Sequence, residues 1–169
     1  LPFGQQASLY EELTAQIAEH DLSDEQKRVM VYLIGSLDSD GFLRKDSQRL
    51  SDEMGIYHNI NVSPQEIDKL VSVMQTFEPR GIGARNLQEC LKIQILAEDN
   101  KSPYKELELQ VIEKCYKDFT RKRWDAIARR LHVDTETMDK VMSEIRHLNP
   151  RPGSALNEMS SGDSQEVTP

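Results

Sequence analysis

Apolar residues recur along most of this chain at spacings of three and four, the period of a helix that buries one face. Leu9, Leu13 and Ile17 open the series, and Val29, Met30, Leu33, Ile34 and Leu37 form a denser second stripe. The stretch from Ser63 to Arg80 then matches the stretch from Asp134 to Arg151 without a gap. Ile67, Leu70, Val71, Met74 and Phe77 stand in register with Met138, Val141, Met142, Ile145 and Leu148. Both stretches end in a proline, Pro79 or Pro150, whose ring and missing N–H stop a helix. The pattern predicts two related helical units.

Punctuation sharpens the elements. Ser23 with Gln26 three residues on makes a capping box for the second helix, which ends before Asp38-Ser39-Asp40-Gly41, with Phe42 and Leu43 folding back onto the core. A short helix is predicted over 46–54 and closed by Gly55. Ser63-Pro64-Gln65-Glu66 starts a helix that runs to about Phe77. Asn86-Leu87-Gln88-Glu89 opens one with Leu87, Cys90, Leu91 and Ile95 on a single face, and Ser102-Pro103 opens another to about Phe119. A helix from Trp124 to Leu131, a turn at His132-Val133 and a helix from Asp134 to Leu148 complete the series. Leu50, Met54, Gly55 and Ile56 align with Ile127, Leu131, His132 and Val133, the first unit carrying the extra residues 57–62.

Short helix, turn, longer helix is a helix-turn-helix arrangement. No stretch alternates cleanly enough for a strand. The expected fold is all-α: two small helical-bundle subdomains, each containing a helix-turn-helix-like unit, with residues 1–100 as the first, 101–153 as the second and 154–169 as a polar tail or linker. A start at Leu1 and a Ser-rich end suggest a piece of a longer protein.

Charge narrows the partners. The net charge of the 169 residues is -8, and residues 1–60 hold 11 acids against 5 bases, so the front of the chain favours a basic protein partner over phosphates. The second helix of each helix-turn-helix carries Glu66 and Asp68 against Lys69, or Asp134, Glu136, Asp139 and Glu144 against Lys140 and Arg146, which suits no DNA groove. Arg121, Lys122, Arg123, Arg129 and Arg130 read as a solvated or protein-facing patch. Apolar runs such as 29–34 are far too short to span a membrane. Cys90 and Cys115 read as core thiols, and lone Trp124 as a core aromatic.

Sites for small ligands find little support. His20, His58, His132 and His147 are scattered, and Asp38 to Gly41 opens like a calcium loop but places Gly fourth and Arg49 twelfth. Gly81 and Gly83 are followed by Asn86 where a nucleotide fingerprint needs glycine, so the loop reads as a packing turn. No cofactor, metal or catalytic constellation is expected, and the chain is read as a non-enzyme.

Three stretches together resemble the sigma-54 class of bacterial RNA polymerase sigma factors, in its core-binding domain: Ile34 to Leu43, Phe77 to Leu91, and Leu148-Asn149-Pro150-Arg151-Pro152-Gly153. That resemblance implies an all-helical, cytoplasmic module gripping core RNA polymerase through its beta and beta-prime subunits. In the intact protein it implies promoter DNA of the minus-24/minus-12 type, read by parts outside this chain, and an ATP-using activator. The candidate partner-binding residues are Glu11, Glu12, Asp24, Glu25, Asp38, Asp40, Arg80 and Arg85. The candidate structural joints are Pro79, Gly81, Gly83, Pro150, Arg151, Pro152 and Gly153, with Pro79 to Gly83 as an internal joint and Pro150 to Gly153 as an exit into the tail. The rival expectation is a DNA-binding regulator with two helix-turn-helix units.

Overall fold

The computed structural model describes residues 2–154, with side chains from Leu9 onward. Regular structure among the described residues is nine α-helices and one 3-10 turn, Pro152–Ser154, with no strand. The helices are α1 (Pro2–Ile17), α2 (Asp24–Gly35), α3 (Ser47–His58), α4 (Pro64–Met74), α5 (Leu87–Ile95), α6 (Lys105–Lys114), α7 (Tyr116–Thr120), α8 (Trp124–Leu131) and α9 (Thr135–Arg146). Contacts divide the chain into one unit up to Asn86, rejoined by the chain from Arg151 on, and a second unit, Leu87–Pro150. The sequence-based boundary at residue 100 would have left α5 with the first unit. Leu91 and Ile95 of α5 instead sit in the core of the second.

In the first unit the predicted caps form. Ser23 Oγ accepts from the Gln26 N–H while the Gln26 side chain accepts from the Ser23 N–H, and Ser63 and Glu66 repeat the exchange ahead of Pro64. Val29, Met30, Leu33 and Ile34 of α2 pack with Ile67, Leu70, Val71 and Met74 of α4 and with Leu13 and Ile17 of α1. Fully burying one such side chain contributes about 1.5–3 kcal/mol, which outweighs the modest propensity of any of these helices alone. Phe42 and Leu43 are buried, as predicted.

Gly55 does not end α3. The helix runs one turn further to His58 and stops at Asn59, in the left-handed region at φ 54, with the Ile60 N–H returning to the Met54 carbonyl at 3.0 Å. A glycine weakens a helix by about 1 kcal/mol relative to Ala but does not forbid it, and burial of Ile60 sets the stop.

The second unit centres on Ile95, Val111, Ile112, Ile127, Val141 and Met142. The single helix predicted from Ser102 to Phe119 is two, broken at Cys115, whose side chain is buried. The break lets α7 place Phe119 between Tyr116 and Trp124, with ring centroids 5.8 and 6.0 Å away. No Gly or Pro marks this break, so tertiary packing overrides the local pattern. α8 has the predicted limits, His132 turns at φ 57, and Asp134 caps α9 by accepting from the Thr137 N–H at 2.7 Å.

Candidate partner-binding site

Parts of the three stretches that carry the resemblance, residues 38–43, 81–84 and 151–153, meet in the first unit. The Asp38 carboxylate accepts from the N–H groups of Asp40 and Phe42 at 2.9 and 3.0 Å and from Arg44 Nε at 3.1 Å. Burial pushes the Asp38 carboxyl up, but these N–H groups and the Arg44 guanidinium outweigh it and hold it below its usual value. The turn this builds presents Gly41, which lies at φ 90. Gly41 O accepts from the Gly83 N–H at 2.9 Å, and the Leu43 N–H donates to Ala84 O at 2.9 Å. From the other side the Gly153 N–H donates to Asp40 O at 2.8 Å, and Arg151 Nε lies 3.3 Å from Asp40 Oδ1. A Cβ on Gly41 would sit 2.6 Å from Gly153 N, so only glycine allows this approach.

This clasp absorbs several of the residues singled out as partner contacts. Arg85 donates to Lys45 O at 2.6 Å and Ser47 Oγ at 3.0 Å and lies 3.7 Å from Asp68. Arg80 pairs with Glu78 at 3.1 Å. Asp38 and Asp40 are engaged as described. Gly81 and Gly83 take left-handed backbone at φ 103 and 83, Pro79 precedes them, and Pro152 and Gly153 are buried. Arg151 to Gly153, expected as an exit into a tail, pack back onto the first unit, while Pro150 is exposed at the end of the second.

One device closes both units and goes beyond the expected caps and joints. Gln16, the next-to-last residue of α1, donates to Glu78 O at 2.6 Å and accepts from the Glu78 N–H at 2.8 Å. Gln94, the next-to-last residue of α5, holds Asn149 in the same two bonds at 2.6 and 2.8 Å. Glu78 and Asn149 are equivalent in the repeat, each just before its proline. The signal was present as Leu13-x-x-Gln16-Ile17 and Leu91-x-x-Gln94-Ile95.

Glu11, Glu12, Asp24 and Glu25 are a different case. All four are exposed, and no ion pair among the described residues engages them. Glu11, Glu12 and Glu19 border one hollow, with Ala15 and Gln16, along the C-terminal part of α1 and the turn that follows it. Asp24 and Glu25 lie in the first turn of α2, where they favour the positive helix end.

Three more features emerge only in three dimensions. In the first unit Tyr32 donates to Glu53 at 2.7 Å, and Glu53 also receives Lys45 and Arg49 at 3.0 Å each. The Tyr32 hydroxyl and the two bases draw Glu53 down to about 2, whereas burial and Glu53 push Tyr32 up to about 12. In the second unit Lys122, Arg123, Trp124 and Arg129 line a hollow along α8. Also there, Glu108 is 2% exposed, with one carboxyl oxygen that no donor reaches, beside Glu144, which accepts from Ser102. Burial, then the neighbouring Glu144, pushes Glu108 up to about 8. Glu144 is in turn held below its usual value by Glu108 and Ser102. Among the described residues no group of His, Cys, Asp and Glu is placed to hold a metal, and no helix is long and apolar enough to cross a membrane.

A family model described as Sigma-54 factor, core binding domain, matches residues 3–169. A protein of Bacillus subtilis (strain 168) named RNA polymerase sigma-54 factor is 30% identical over 148 residues, 88% of this chain. Its namesake from Caulobacter vibrioides is 33% identical over 146 residues, 86% of the chain. The RNA polymerase sigma-54 factor 2 of Bradyrhizobium diazoefficiens is 32% identical over 149 residues, again 88%. The chain covers 32%, 27% and 26% of these relatives, about a third of their length or less.

Proposed function

The chain belongs to the sigma-54 factor family, as its core binding domain, and from that premise we propose that it docks on core RNA polymerase. The observation that carries this reading is the match to the core binding domain along nearly the whole chain. The unpaired acids of α1 and α2 support it: Glu11, Glu12, Asp24 and Glu25 are free to meet a basic protein surface, steering encounter and fixing register. Asp38, Asp40, Arg80 and Arg85 serve instead to hold the shape that presents them. In this reading the module acts in the bacterial cytoplasm by binding, through the beta and beta-prime subunits, and performs no reaction of its own. The intact protein selects minus-24/minus-12 promoters and waits there for an ATP-using activator.

The test is direct titration of this chain into core polymerase. Binding that weakens as salt rises, and that weakens further when Glu11, Glu12, Asp24 and Glu25 are changed to Lys, supports the proposal. No complex at low salt overturns it. A band shift with promoter duplex and no polymerase separates it from the DNA-regulator reading: tight, sequence-selective retention would favour the latter, against the acids of α4 and α9.

A further inference from the structure

The two helix-turn-helix units provide an internal control. In the second, α8 turns at His132 and α9 begins directly. In the first, the extra residues lengthen α3 by a turn, and that turn leaves Ile56 71% and Tyr57 74% exposed. Neither side chain is used to build the core, and Val31 on neighbouring α2 is also exposed.

Beside this turn Arg28, Val31, Tyr32, His58 and Ile60 line a cleft of about 370 Å³. Buried Ile60 belongs to its floor. Its wall is set by the Tyr32 and His58 rings, edge to face with centroids 4.9 Å apart. The Tyr32 hydroxyl is fixed by Glu53, so the ring is held in place before anything binds. At the rim Arg28 is exposed and has no ion pair among the described residues, and Asp24 stands one turn before it on α2. An apolar centre with a charged rim is the anatomy of a protein interface.

We propose that the face made by α2 and the last turn of α3 docks an apolar segment of core RNA polymerase, an aliphatic or aromatic side chain entering the cleft while an adjacent carboxylate meets Arg28. The proposal rests on the polymerase-binding reading above. It adds a salt-insensitive apolar anchor to the salt-sensitive acids of α1 and α2. Charge complementarity selects the segment: the unpaired guanidinium at the rim favours an acidic neighbour on the polymerase side.

Core polymerase is titrated with the wild-type chain, Ile56→Ser/Tyr57→Ser and Arg28→Glu, with Leu96→Ser, an exposed apolar residue of the second unit, as control. The expected result is a loss of about tenfold or more for the double variant with the salt slope kept, a loss of severalfold for Arg28→Glu, and no change for the control. Because the substituted side chains are exposed, unfolding temperatures should stay within a degree or two, on the order expected for surface changes. Wild-type binding that the double variant leaves intact overturns the docking face alone. Absence of wild-type binding at low salt removes the polymerase reading and this face with it. Sedimentation showing a wild-type dimer that the double variant splits would assign the face to self-association and overturn the proposal.

Discussion

In the first unit Gln16 grips Glu78 by both backbone groups, and in the second Gln94 grips Asn149 at the same two distances. Beyond that shared grip the units part. Pro79 leads into a glycine loop that packs under Gly41 and Gly153, whereas Pro150 is exposed and the chain leaves the second unit there. The first unit spends its acids on the surface, and the second buries one, Glu108. The shared pattern therefore fixes how each bundle is closed at its end. It does not fix what each bundle shows to solvent, and there the first unit carries the exposed acids and apolar residues proposed to bind.

The strongest way to break this comparison is at the clasp only the first unit has. Gly41→Ala adds left-handed strain and overlap with the Gly153 backbone, together about 3 kcal/mol. Thermal unfolding followed by circular dichroism should show a lowered first transition. Trp124, the sole tryptophan, lies in the second unit, so its fluorescence should report a transition that moves little.

Next come the shared glutamines. Gln94→Ala removes two hydrogen bonds at a half-buried site and should cost about 1–3 kcal/mol, read by urea unfolding through Trp124. Gln16→Ala should act on the first unit instead and cost less, because its bonds are more exposed. Equal effects of both variants on the Trp124 transition would show that the units do not unfold separately.

Glu108 sharpens the contrast through pH. An unfolded glutamate releases its proton near 4.5, while folded Glu108 keeps it to about 8. Its contribution to stability is thus complete below the ordinary carboxyl range and is lost as pH rises toward about 8, with Glu144 acting in the opposite direction from its lowered value. Between pH 6 and 9 the unfolding temperature of the second unit should fall by on the order of a few degrees. Glu108→Gln, neutral at every pH, should flatten that slope. The smallest effect expected is at Glu11 and Glu12 of α1, where Lys substitutions should change stability by less than about 0.5 kcal/mol while altering the salt dependence of binding.

Much of this was legible because it is local. Ser23 with Gln26, Ser63 with Glu66, and the stripe from Ile67 to Phe77 each declare a helix within a few residues, and caps and periodicity are properties of neighbours in sequence. What was not legible depends on distant partners. Asp38, Asp40 and Arg85 were singled out by motif and look like contacts for another molecule. Only the fold reveals that Arg44, Arg151 and Lys45 O already engage them. Gly55 was read as a stop because Ile60, which sets the true end of α3, exerts its preference through burial. Nothing in the sequence neighbours of Glu108 on α6 announces a second carboxyl from α9.

The meeting of Gly41 with Gly153 also sets an order of assembly. The hydrogen bond from Gly153 to Asp40 closes a loop that contains the entire second unit. Closing so long a loop costs entropy that is reduced if the intervening chain has already become compact. During synthesis from the N-terminus, α1 to α4 emerge first yet remain unclasped until Arg151 to Gly153 leave the ribosome. The first unit made is thus the last one finished, its clasp closing only after the whole of the second has been synthesised.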